Sequence, residues 1–199
     1  MQILGESCAS LLRAAFEGRP LRGLDVGCGD QQVSRTIAAC LPNSRWRACD
    51  LYDLPTALEK DPAWGNYRQM ADGVLPFADK TFDVVMFCDV LHHVEREKQA
   101  DLIQEAVRIG NYLLIKDHFA LDAYANIMLR LMDLVGNAPY NVRVLATYFT
   151  PDRFDALLGV LKLERVSRLH GIDLYRHLPV LQWLISPQWQ FIDLLKAPD

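Results

Sequence analysis

Leu24-Asp25-Val26-Gly27-Cys28-Gly29 decides how this chain of 199 residues is read. A short apolar strand, expected over Leu21–Val26, runs into two glycines that turn the chain, and a helix is expected over Gln32–Ala39. Such a turn lets a ligand approach main chain at the carboxyl end of a sheet, where larger side chains would leave no room. Two later acids also follow strand-like runs: Asp50 after Trp46-Arg47-Ala48-Cys49, and Asp72 after Tyr67-Arg68-Gln69-Met70-Ala71. Three polar sites at successive strand ends point to one elongated, nucleoside-containing cofactor.

Outward from this core, apolar periodicity predicts a first helix over Ile3–Phe16, closed by Gly18-Arg19-Pro20. Pro42-Asn43 separates the second helix from a strand over Arg45–Cys49, and a short helix is expected over Leu54–Glu59. Phe82–Cys88 is a continuous apolar run, the pattern of a central strand buried on both faces. Glu95–Val107 reads as a helix with Leu102, Ile103 and Val107 inward, Gly110-Asn111 as a stop, and Tyr112–Ile115 as the next strand. Repeated strand–helix order argues for right-handed crossovers and a largely parallel sheet.

Beyond Asp117 the alternation weakens. A long helix is expected over Phe119–Val135, ended by Gly136-Asn137-Ala138-Pro139, and Tyr140–Phe149 has no clear period. Thr150-Pro151 opens another helix as cap and first-turn residue, ending near Gly159. Leu161–Leu169 alternates as a strand and Gln190–Leu195 forms the last one, with Leu178–Ile185 a short apolar helix or loop. We expect a single domain over 1–199, with a helical cover at 1–19 and substrate-side elaborations at 118–149 and 170–188.

Hydrophobic residues make up 51% of the chain, ordinary for a folded domain, and the formal charge of -4 supplies no basic footprint for nucleic acid. Five cysteines, odd in number and without a C-x-x-C pair, suit reduced thiols, and Cys88 has no neighbour that would make it a nucleophile. No apolar run is long enough to span a membrane, and Glu6 and Ser7 replace the basic start of a signal segment, so a cytoplasmic location is expected.

Taken together, Leu24–Gly29, Cys49-Asp50-Leu51, Ala71-Asp72-Gly73 with Leu75-Pro76-Phe77, and Phe82-Asp83-Val84-Val85 through Leu91-His92-His93-Val94 resemble the class I S-adenosylmethionine-dependent methyltransferases. The likeness covers residues 20–160. It implies a Rossmann-like α/β fold: a seven-stranded, mostly parallel sheet with an antiparallel last strand and helices on both faces. It also implies S-adenosylmethionine as cofactor. Asp25 would support the glycine loop and the amino-acid end of the cofactor, with Gly27, Cys28 and Gly29 against its main body. Asp50 would take the ribose hydroxyls, Leu51 would pack on adenine, Asp72 would accept from the adenine amino group beside Gly73, and Asp89 closes the site after the fourth strand. One departure stands out: the family's usual third glycine is replaced by Gln31, which would fill space beside the ligand.

Four residues on the acceptor side are candidates for catalysis: His92, His93, Asp117 and His118. An imidazole suits proton removal near neutral pH, whereas helix capping or a solvent-facing position accounts for the same residues without chemistry. Their spacing shows no zinc pattern with clear third and fourth ligands, so no metal is expected. Apolar residues such as Met128, Met132, Tyr175 and Trp183 favour a hydrophobic or aromatic small-molecule acceptor. Leu178–Ile185 is open as lid, homodimer contact or membrane-surface contact, without stable membrane insertion. The competing classes are a nicotinamide-dependent oxidoreductase, which shares the glycine turn, and a catalytically inactive methyltransferase-like binding protein.

Overall fold

The computed structural model describes residues 1–53, 65–71, 73–137, 145–177 and 179–198. The helix expected at Leu54–Glu59, the adenine-side Asp72, and Tyr140 and Asn141 lie outside the described residues. In chain order the elements are α1 (Gln2–Phe16), β1 (Leu21–Val26), α2 (Gln32–Cys40), β2 (Ser44–Asp50), β3 (Tyr67–Gln69) and β4 (Phe82–Cys88). A single 3-10 turn at Leu91–His93 leads to α3 (Arg96–Ile109), β5 (Gly110–His118), α4 (Ala123–Asn137) and α5 (Pro151–Val160). The chain closes with β6 (Glu164–His170), α6 (Pro179–Leu184), a 3-10 turn at Pro187–Trp189 and β7 (Gln190–Lys196).

The strands form one seven-stranded sheet in the order β3-β2-β1-β4-β5-β7-β6. The pairs β2–β3, β1–β2, β1–β4 and β4–β5 are parallel, while β7 runs antiparallel to both β5 and β6. Strand alternation explains the two-sided core. Val84 and Met86 of β4 point with Leu114 and Ile192 toward Leu4, Cys8, Leu12 and Ile37 of α1 and α2. Val85 and Phe87 point the other way with Leu113, Ile115 and Phe191, toward Ile103 and Ala106 of α3 and Phe154 and Leu158 of α5. Both faces of β4 are therefore dry, which is why its sequence is unbroken by polar alternation.

Local chemistry also corrects the sequence reading. Gly110 stops α3 as expected, standing as its C-cap, but β5 begins there rather than at Tyr112 and extends to His118, so Lys116, Asp117 and His118 lie inside the strand. The helix expected from Phe119 starts four residues later, at Ala123, because Asp122 Oδ1 accepts from Ala125 N at 2.7 Å as a cap. Phe119 stacks instead on Phe191 in the core, with ring centroids 4.0 Å apart. Thr150 caps α5 as expected, its side chain accepting from Arg153 N at 3.3 Å. No helix among the described residues is long and apolar enough to cross a membrane.

Because the strands from β3 to β5 are parallel, their carboxyl ends share one rim. The strand order reverses between β1 and β4, and the crevice at such a reversal is where ligands bind in open α/β sheets.

Candidate active site

A cleft of about 470 Å³ opens at that reversal. Its lining includes Gly27, Gly29 and Asp30 after β1, Asp50 to Tyr52 after β2, Met70 after β3, and Asp89, Val90, His93 and Val94 after β4. Leu102 and Leu145 add apolar wall. The volume suits a small-molecule site. A smaller hollow of about 160 Å³ lies at the other end of the strands, beside Leu21 and Ser44.

The glycine turn is built by main-chain bonds: Gly27 N and Cys28 N both donate to Cys49 O, at 2.8 and 3.2 Å. Gly27 and Gly29 hold φ of +68° and +48°, the left-handed region that glycine enters without strain. Gln31 holds φ +60° as well, and its side chain is buried, Oε1 accepting from Asn66 Nδ2 at 3.2 Å. The residue that replaces the third glycine thus turns away from the cleft instead of filling it.

Asp50 lines the cleft with both carboxylate oxygens engaged: Oδ2 accepts from Gly29 N at 3.1 Å and Oδ1 from Leu51 N at 2.7 Å. A carboxylate offers about four acceptor positions, so two remain for a vicinal diol. Asp25 is buried beneath the turn; burial pushes its carboxyl up to about 7 against the lowering effect of a Ser34 hydrogen bond, with the charges of Asp50 and Asp30 adding to the rise. Burial likewise pushes the Cys8 thiol up to about 12 and raises Cys28, Cys49 and Cys88, so none of these is a thiolate near neutral pH.

The acceptor side rests on a buried polar floor. His92 is fully buried on the 3-10 turn, with Nδ1 2.6 Å from Asp117 Oδ1. Asp117 also accepts from His118 N at 2.7 Å and from His92 N at 3.3 Å. On the far side, His92 Nε2 lies 3.2 Å from Asp133 Oδ2, contributed by α4. Tyr148 donates its hydroxyl to the same oxygen of Asp133. Burial alone would lower His92, but Asp117 and then Asp133 overcome it and push the ring up to about 10. Asp117 is held far below the usual carboxylate range: the His92 charge and the hydrogen bonds outweigh burial. The His93 ring packs against His92 at a tilt of 49°, with ring centroids 4.2 Å apart, and burial together with the His92 charge lowers its pKa. Beside this group, buried Lys116 donates to Asp89 Oδ1 at 2.5 Å, and His118 Nδ1 lies 3.2 Å from the same oxygen.

The segment Ala146–Phe149 is tied down by a second network. Thr147 Oγ1 donates at 3.0 Å to His92 O and at 2.7 Å to Val94 O, while Gln99 Nε2 donates to Leu91 O at 2.8 Å. Arg153 Nη1 donates to Gln99 Oε1 at 2.9 Å. These bonds fix the height of the 3-10 turn and so the position of both histidines.

Residues 24–111 match the family model described as a methyltransferase domain. Over that stretch the chain carries a class I methyltransferase-like domain. No curated protein is a significant sequence match. Among solved structures, the chain is similar to YcgJ from Bacillus subtilis at TM-score 0.62 and 15% identity, over 98% of this chain and 100% of that one. It is similar to the 1,6-didemethyltoxoflavin-N1-methyltransferase of Burkholderia thailandensis at TM-score 0.66 and 16% identity, covering 98% and 79%. For the CurJ carbon methyltransferase the values are 0.67 and 16%, covering 98% of this chain and 54% of that one. At these identities the likeness is one of fold.

Of the residues singled out from sequence, Gly27, Gly29, Asp50, Leu51, Asp89 and His93 meet around the cleft. Asp25, Cys28, His92, Asp117 and His118 lie buried behind it, and Gly73 is not in its lining. None of the lining comes from α1, which packs through Leu4, Cys8 and Leu12 into the core. Trp183, expected to help wall the acceptor, is 92% exposed. Asp133, Tyr148, Gln99 and Thr147 were not singled out as site residues. Asp133 stands within an apolar helical run, Leu129 to Val135, and that lone acid was the one available signal.

Proposed function

We propose that this methyltransferase binds S-adenosylmethionine along the Gly27–Asp50 side of the cleft and methylates a small, largely apolar acceptor held against His93 and Val94. What carries the reading is the convergence, at the β1–β4 reversal, of open glycine main chain and a carboxylate with two spare acceptor positions. The residues suit the cofactor: a Cβ on Gly29 would meet nothing within 4 Å, so the loop leaves its outer surface free for a ligand. Asp50 accepts from the ribose hydroxyls, and Leu51 and Met70 flank the base. When bound, the cofactor supplies a methyl group already activated by its sulfonium.

The protein then has to align the acceptor, exclude water and handle one proton. Val90, Val94, Leu102 and Leu145 supply apolar wall, which favours a hydrophobic or aromatic acceptor. His93, the histidine on that wall, has a lowered pKa and so presents a neutral ring to the acceptor near pH 7. His92, Asp117 and His118 position it from below. The N1-methyltransferase and the carbon methyltransferase share this fold, so the fold leaves the accepting atom open.

Calorimetric titration with S-adenosylmethionine, S-adenosylhomocysteine and NAD tests the cofactor reading. The first two are expected to bind one per chain and NAD not at all; binding of NAD alone overturns it. Transfer of labelled methyl to a panel of hydrophobic phenols, quinols and amines, compared with sugars, tests the acceptor class. Turnover confined to the sugars would reject an apolar acceptor.

A further inference from the structure

The polar floor brings together a third group that the sequence spacing did not reveal. One ring nitrogen each of His92 and His93 and a carboxylate oxygen of Asp133 all lie within 4.8 Å of one another. We propose that His92, His93 and Asp133 form a binding site for a first-row divalent cation, zinc by preference, opening toward the acceptor side of the cleft.

Three observations carry this. First, His92 Nε2 and Asp133 Oδ2 are 3.2 Å apart, yet Nε2 makes no aligned hydrogen bond. Two donors on adjacent corners of a tetrahedron with bonds of about 2.0 Å stand about 3.3 Å apart and aim at the centre rather than at each other. Second, His93 Nδ1 is also buried without a hydrogen-bond partner, although its ring lies against His92. Buried polar atoms are rarely left unpaired, and two in one cluster call for a shared partner. Third, the outer partners that orient metal ligands are already in place. Asp117 accepts from His92 Nδ1 at 2.6 Å, which leaves Nε2 as the free donor atom, and Tyr148 holds Asp133.

The neighbouring cluster, in which Asp89, Asp117 and His118 meet His92 from its other side, is not the site. Lys116 Nζ already sits at Asp89 Oδ1 and 3.5 Å from His118 Nε2, so a cation occupies that position. Two imidazoles and one carboxylate suit zinc better than magnesium or calcium, which prefer oxygen. Because His93 belongs to the cleft wall, the fourth position faces the acceptor.

This deepens the methyl-transfer reading and rests on it only for the cation's use. An acceptor hydroxyl bound at the fourth position would lose its proton to water before attack. The oxygen–carbon bond then forms as the carbon–sulfur bond breaks, its electron pair going to sulfur. His93 serves in that case as ligand, and the cation takes over the acidifying role.

The test is a cobalt(II) titration of the full chain after chelator treatment, read by visible absorption and by zinc competition. One cobalt per chain, with the intense bands of a four-coordinate site and displaced by zinc, is expected. His93→Gln and Asp133→Asn should each weaken binding at least about tenfold, while the exposed-site control His177→Gln leaves it unchanged. Absence of a stoichiometric cobalt spectrum, or a spectrum indifferent to both substitutions, overturns the proposal and leaves His92 holding only a proton. If Asp133→Asn does not fold, His93→Gln decides. Calorimetry with S-adenosylhomocysteine on the same samples reports the cofactor side separately, so loss of metal and loss of cofactor are told apart.

Discussion

The two glycines of the turn carry different burdens, and alanine at each should separate them. At Gly27 an added Cβ would stand 2.6 Å from Val90 Cγ2 and 3.1 Å from Cγ1, on a backbone at φ +68°. Left-handed backbone costs an ordinary residue about 1–2 kcal/mol. Overpacking against a short branched side chain adds about 1–3 kcal/mol. Gly27→Ala should therefore lose about 2–5 kcal/mol, or roughly 4–20 °C in thermal midpoint for a chain of this size. Gly29→Ala meets nothing within 4 Å and carries only the backbone cost, about 1–2 kcal/mol. Its methyl group would instead project where the cofactor lies, so its main effect is a loss of S-adenosylhomocysteine affinity of about 1–3 kcal/mol, roughly 5- to 150-fold. Thermal melts of the ligand-free chains and calorimetry of the same samples make the comparison. Adding Val90→Ala to Gly27→Ala should return part of the loss, because it removes the methyl groups that collide. Wild-type cofactor affinity in Gly29→Ala would refute close approach of ligand to main chain. No recovery from Val90→Ala would refute the packing account of Gly27.

Asp50→Ala should weaken S-adenosylhomocysteine binding far more than Asp53→Ala, by about 1.5–3 kcal/mol per charge-assisted bond lost; equal and negligible effects by calorimetry reject Asp50 as the ribose ligand. Asp117→Asn removes the charge that faces buried His92 and two main-chain N–H groups, and should cost about 3–5 kcal/mol in urea denaturation; a loss under about 1 kcal/mol would show that the floor is not held by that pairing. Asp25 carries a pH dependence. Its folded value, raised to about 7 by burial, lies above its ordinary value of 3.8, so its contribution to stability is full below about pH 4 and is lost as pH rises through 7. Asp25→Asn, always neutral, should therefore gain on the wild type between pH 4 and 8 in denaturation midpoints, and parallel curves would refute the buried, neutral acid.

How much of this was legible in the sequence follows from the range over which each feature is encoded. β1 and β4 were read with their observed limits, because Leu21–Val26 and Phe82–Cys88 are short apolar runs bounded by turn residues, a local signal. The cap at Thr150 is equally local. The start of α4 was misplaced since Phe119 and Leu121 continue the apolar pattern upstream of Asp122; which residue caps is decided by Phe119 being drawn onto Phe191 of β7, far along the chain. The cofactor side was legible because Gly27, Gly29 and Asp50 sit at strand ends that sequence order alone brings together. The acceptor side was not. Asp133 reaches His92 only because α4 packs against Ala146 and Tyr148 beside the histidine turn, and no spacing along the chain encodes that packing.

The arrangement of charge explains why this side of the cleft is built so densely. Asp89, Asp117 and Asp133 contribute three carboxylates, against which Lys116 and a protonated His92 set two positive charges; burial and their cationic neighbours keep His93 and His118 low in pKa. One negative charge is thus in excess within a region where Asp117 and Lys116 are fully shielded from water. Such an excess is costly in a low-dielectric interior unless a cation completes the set. Two cations can do so: the sulfonium of the cofactor, arriving from the Asp89 side of the cleft, and a divalent ion between His92, His93 and Asp133 that displaces the His92 Nε2 proton and so adds one net positive charge. The first charge disappears when the methyl group leaves, whereas the second stays. A resident ion would therefore hold the floor together through product release, when a floor relying on the sulfonium alone would regain its unbalanced charge.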